Sequence, residues 1–150
     1  MKVKLEAIKL KVETKAAVKA TIKSGYFRKD DQERLKVLQK LNRTLSQIYK
    51  IDPSEVIWRP HTILYTMTGG GHFDTKRNRI ELYKTEELSL VTFLHEFKHA
   101  LDHARKKKIT ETSANNWSLA IYAQIAPKMF TKAVLEGKIF SMRGKHDTNN

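Results

Sequence analysis

Two histidines four residues apart with a glutamate between them, in Leu94-His95-Glu96-Phe97-Lys98-His99, constrain this chain more than any other feature. On an α-helix, residues i and i+4 share one face one turn apart, so two imidazoles so spaced can reach a single ion while Glu96 sits beside them, near an ion-bound water. With 6 His and 10 Glu in 150 residues, chance alone gives about 0.02 occurrences of HExxH. The surrounding pattern predicts a helix from Ser89 to about Lys106. At 100° per residue, Leu90, Phe93, Leu94, Phe97, Leu101 and Ala104 form one broad apolar stripe, and His95, His99, Asp102 and His103 fall opposite. Such a helix is anchored through one face and turns its histidines to a cleft. Solvent-exposed helix histidines of a basic protein are the plainer alternative.

A catalytic zinc takes three protein donors and keeps one position open. The chain contains no cysteine, so the donors must be His or carboxylate. Asp102 and His103 share the helix of the first two ligands, and one helix face does not easily wrap a tetrahedral ion from three successive turns. Glu111 opens a further predicted helix, Thr110 to about Ala126, after the basic turn Lys106-Lys107-Lys108, and a reversal there sets it alongside the first. The expected site is therefore a Zn²⁺ held by His95, His99 and Glu111, with Glu96 as the catalytic base. For Glu111, a first-turn glutamate complementing the helix dipole is the alternative.

The rest of the chain supplies a frame. Residues 2–13 nearly alternate, but the apolar parity moves from odd (Val3, Leu5, Ala7) to even (Ile8, Leu10, Val12), so a bulged strand and a weak helix both remain open. A short helix is predicted over 15–23, ending before Gly25. Asp30 and Glu33 have capping-box spacing, and Leu35, Leu38, Leu41, Leu45 and Ile48 follow at helical intervals up to Pro53. Beyond Pro53 the composition turns to strand formers in 56–58 and 63–67. After Gly69-Gly70-Gly71, segments 72–74 and 79–83 read as a hairpin around Thr75-Lys76-Arg77-Asn78. Two to three antiparallel strands thus precede the motif helix, and Pro127 admits one more short helix. The expected architecture is one α+β domain over 1–150, a short antiparallel sheet packed on the HExxH helix and the following glutamate helix. It carries a basic N-terminal segment (about 1–28) and a flexible polar tail (about 141–150).

The run HEFKHALDHARKKKITETSANNWSLAIY resembles the gluzincin pattern, in which HExxH is followed on a second helix by a glutamate ligand. Eleven residues separate His99 from Glu111, a short gap similar to that of the minigluzincins and the ImmA/IrrE-type metallopeptidases. His103 and the segment Glu111-Thr-Ser-Ala114-Asn115 match features of those groups. The resemblance covers about residues 71–122 and implies a small zincin-like fold and a zinc-dependent peptidase, with amide hydrolysis by metal-activated water and Glu96 moving the proton. It also implies that Gly71-His72-Phe73-Asp74 lines the cleft and pairs with extended substrate. Asn115 lies where thermolysin-like gluzincins carry an aspartate that orients a ligand histidine; here its amide would do so, or it is a surface asparagine. Metzincins are excluded, because Asp102 and Arg105 occupy the positions of their glycine and third histidine. Candidate oxyanion donors are Tyr122, His72 and His103. As in minigluzincins, a terminal segment, either the His146-Asp147 tail or the basic N-terminus, would block the site.

The net charge is +13, divided by thirds of the chain as +9, −1 and +5. The excess sits at both ends, is mostly lysine and lacks arginine-aromatic clusters, which argues for a solvated surface or diffuse polyanion contact over base recognition. A basic nucleic-acid-associated or regulatory binding protein with a structural or vestigial zinc site is the competing reading. The first 24 residues interleave charge throughout, and no stretch approaches a membrane span, so a cytoplasmic protein without a membrane partner is expected.

Overall fold

The computed structural model describes residues 4–59, 70–83 and 89–137. Residues 5–7 form a 3-10 turn in place of a bulged strand, and the helix expected over 15–23 is present as α1, which starts three residues earlier, at Val12, and ends at Lys23. The parity change within residues 2–13 reflects that break: no single two-residue period runs through it. Thr14, Val18 and Thr21 are the buried side of α1, spaced as helix turns require. Gly25, at φ 87°, then takes the left-handed conformation that swings the chain into a second 3-10 turn at Tyr26–Arg28.

Helix α2 spans Asp31–Tyr49 and starts with both halves of the expected box: Glu33 N donates to Asp30 Oδ1 (2.9 Å) and Asp30 N to Glu33 Oε1 (3.3 Å). Its buried side carries Leu38, Leu41 and Leu45, while Asn42 donates through Nδ2 to the Ser54 carbonyl (2.8 Å), tying the helix to the chain entering the sheet.

Strands β1 (Glu55–Trp58), β2 (Gly71–Asp74) and β3 (Arg79–Leu82) form the sheet, in the order β1-β3-β2. The expected β2–β3 hairpin is present, turning at residues 75–78, and its register pairs His72 with Glu81 and Phe73 with Ile80. The sheet is mixed, however, and the expectation of a wholly antiparallel one is corrected: β1 runs parallel to β3. Between them the chain enters the hairpin on the far side, a crossing that strand-forming runs in sequence do not encode. The apolar run 63–67 falls outside the described residues. Among the described residues β2 is an edge strand.

Helix α3, Ser89–Ala104, is central, packed on β2, β3, α2 and the next helix, α4 (Glu111–Ile125). Helix α5 (Pro127–Leu135) opens on the expected proline and packs on α4. One cluster joins Val18 and Tyr26 from the N-terminal segment to Leu38, Leu45, Ile80, Leu82, Phe93, Phe97 and Trp117, so the basic segment is built into the core. The described residues are thus an α+β unit of five helices and three strands. No helix among them is long and apolar enough to cross a membrane. The expected tail, 141–150, lies outside them.

Candidate metal centre

The buried stripe of α3 is the expected one through Leu90, Phe93, Leu94, Phe97 and Leu101, but Ala104 is exposed. The opposite side is less open than a simple two-faced helix predicts: His99 and Asp102 are buried and His95 half-buried, while His103 is exposed. A helix covered by both a sheet and a second helix has two buried flanks, and α4 covers the histidine side. Within that flank Lys98 Nζ meets the Asp102 carboxylate at 2.6 Å. The His103 ring lies edge-on to Phe73 of β2, centroids 5.7 Å apart.

Helix α4 is seated so that its first turn reaches those histidines. Thr110 caps it by accepting a hydrogen bond from Ser113 N (3.1 Å). Ala114 is fully buried, and Trp117 stacks on Phe97 of α3 at 5.9 Å and 24°. A small residue and an aromatic stack hold the two helices close. Glu111 consequently stands over both imidazoles: Oε2 lies 2.7 Å from His99 Nε2 and Oε1 3.4 Å from His95 Nε2. The rings are nearly perpendicular (86°), with centroids 4.7 Å apart. Glu111 itself remains 61% exposed, so the pair of donors faces solvent on one side. The buried His99 Nδ1 has no hydrogen-bond partner among the described residues.

Electrostatics follow this geometry. Burial alone would push the His95 imidazole down, but its hydrogen bond to Glu111, the charges of Glu96 and Glu111, and the Asn115 side chain together hold it above its usual value. The same hydrogen bonds, from His95 and then His99, hold Glu111 far below the usual carboxylate range. Glu96 goes the other way. It is 6% exposed, and burial pushes its carboxyl up despite the counteracting charges of His95, His99 and His72.

Glu96 is buried because β2 comes very close. A Cβ on Gly71 would stand 2.9 Å from Thr92 Cγ2, 3.0 Å from the Glu81 carbonyl oxygen and 3.3 Å from Glu96 Cγ. Only a glycine lets the strand edge approach α3 this tightly. The glycine run before β2 carried that signal, although in sequence it also reads as a plain loop.

Compared with protein-family models, curated proteins and solved structures, the chain has no significant match. The site therefore rests on its own geometry. His95, Glu96 and His99 each bring a donor atom within 4.8 Å of the others, and Glu111 adds a carboxylate oxygen to each imidazole. Asn115, one turn beyond Glu111, acts on His95. Of the three oxyanion candidates, Tyr122 is buried against Phe130 eleven residues beyond Glu111, about 16 Å along the helix axis. His103 is turned to Phe73. The charge of exposed His72 reaches Glu96.

Proposed function

We propose that the protein is a zinc-dependent peptidase of the gluzincin type, with His95, His99 and Glu111 as ligands and Glu96 as base on a minimal zincin-like fold. The observation that carries this is the single carboxylate of Glu111 spanning two Nε2 atoms presented by successive turns of one helix. Donors about 2.05 Å from a tetrahedral Zn²⁺ stand about 3.3 Å apart. Oε1 stands 3.4 Å from His95 Nε2 and Oε2 2.7 Å from His99 Nε2, so the carboxylate would have to turn and open slightly to set one oxygen at that spacing from both imidazoles. The donor set is two neutral-capable imidazoles and a carboxylate kept ionised, the chemistry zinc takes in hydrolytic sites.

Distance alone also admits Glu96 as a ligand. Its environment suits the other role. A carboxyl raised by burial accepts a proton and can release it within the same site, whereas Glu111 is held ionised by its imidazole partners. When bound, the zinc would supply Lewis acidity and a water of lowered pKa. Glu96 would hold the proton taken from that water on its carboxyl and pass it to the leaving nitrogen. The edge of β2, unpaired among the described residues, offers main-chain groups to an extended peptide beside Glu96. His72 adds positive charge at that edge when protonated.

Metal analysis and cleavage of a quenched peptide library test the proposal. Wild-type protein should carry one zinc per chain, and Glu111→Ala should lose it. Glu96→Gln should keep the metal and lose about 10²- to 10⁴-fold in cleavage rate. Cleavage that survives Glu96→Gln, or zinc retained in full by Glu111→Ala, would sink the assignment.

A further inference from the structure

The positive charge of this protein has a place in the fold. Residues 4–29 carry eight Lys/Arg against two Glu, and residues 105–108 are all basic. The fold brings the two groups together on Tyr49, where Lys11 Nζ lies 5.3 Å and Arg105 Cζ 5.4 Å from the centroid of one ring. From Lys11 the basic positions recur at every turn of α1, at Lys15 and Lys19, over about 12 Å. Lys15 lies against Gln124 of α4 (3.5 Å). Among the described residues, every ion pair lies elsewhere, around Asp31, in the sheet, along α3 with Glu111, or on α5. Glu13, in the first turn of α1, also brings its charge to Tyr49 and offsets one of these cations; the remaining excess of positive charge keeps a counterion atmosphere, and its release favours a polyanion.

We propose that this ridge, Lys11, Lys15, Lys19, Arg105, Lys107 and Lys108, binds the phosphate backbone of duplex nucleic acid without reading sequence. A protein partner fits it poorly, since lysine is depleted in protein interfaces and their binding energy centres on buried apolar anchors. The ridge offers only Val12, 73% exposed. Insertion into a membrane needs an apolar helix face, and that of α1 is spent on α2 and α4. Single strands are gripped by stacking on open aromatic rings; Tyr49 is 8% exposed, beneath its cations. The ridge is separate from the metal ligands, and the inference does not depend on the peptidase reading.

Anisotropy of a short labelled DNA duplex of random sequence, titrated over a salt series, tests it. Five or six phosphate contacts give a slope of log K against log salt of about −4.5 to −5.4. Lys11→Gln/Lys19→Gln/Lys107→Gln should weaken binding at least tenfold and reduce the slope by about 2.7. Lys36→Gln/Lys40→Gln/Arg43→Gln, which removes equal charge from exposed positions of α2, should weaken it less than about threefold. Circular dichroism and an unchanged melting temperature establish that each variant is folded; Lys19→Gln/Lys107→Gln replaces the triple variant if Tyr49 packing suffers. The proposal is overturned by absent salt-dependent binding, by equal weakening in both variants, or by tighter binding to polyglutamate or phosphatidylserine vesicles than to the duplex.

Discussion

Glu111 and His95 stabilise one another's charged forms, and that has a pH signature in the metal-free protein. The raised His95 contributes stability fully present below its ordinary value of 6.5 and lost as pH rises through its elevated pKa. The depressed Glu111 contributes stability present above 4.5 and lost as pH falls through its lowered pKa. Between 4.5 and 6.5 both contributions are therefore complete. Urea unfolding of zinc-free protein should give a higher stability at about pH 5.5 than at about pH 8.5, and Glu111→Gln should remove most of the difference. Because Glu111 is more than half exposed, the effect should stay within about 1 kcal/mol. If zinc binds as proposed, it should reverse the trend, since protons compete with the ion for the imidazoles and its affinity should fall below about pH 6.

Among the elements, the contact of β2 with α3 sets the position of Glu96. Gly71→Ala should destabilise by about 1–3 kcal/mol through overpacking, measured by denaturant unfolding. Thr92→Ser, which removes the nearest atom, Cγ2, should restore part of that loss; no rescue would place the strain at the Glu81 carbonyl instead. The sequence made the helices legible where local rules suffice: the Asp30–Glu33 box, the leucine stripe of α2, Pro127 at the start of α5, and the HExxH helix itself. It also brought His95, His99 and Glu111 to one place, because the short basic turn leaves few ways for α4 to return. The burial of His99 and Asp102 was not legible, since a helical wheel knows one packing partner and α3 has several. Nor was the parallel pairing of β1, which depends on a non-local crossing, or the 3-10 turn at 5–7 and the start of α1 at Val12, where no single period runs through the sequence, whereas the rest of α1 up to Gly25 is legible.

For the whole molecule, the N-terminal segment is part of the fold. Val18 and Tyr26 are 1% and 0% exposed, and Gln124 of α4 holds the carbonyls of Leu5 and Ile8 at 3.0 and 2.9 Å. Removal of residues 1–28 should therefore lower the melting temperature or abolish cooperative unfolding. A segment serving only as a removable plug would leave both unchanged. Zinc at about a hundred times its dissociation constant should add about 2.7 kcal/mol, or roughly 5–10 °C in melting temperature for a domain of this size. A chelator should reverse the shift. The proposed ligands straddle the stretch Arg105-Lys106-Lys107-Lys108, with two on the helix before it and one on the helix after. An ion gripping both sides would restrain the backbone at four consecutive trypsin sites, and a brief digestion would then report occupancy: intact chain when loaded, a nick between the two helices once the metal is stripped.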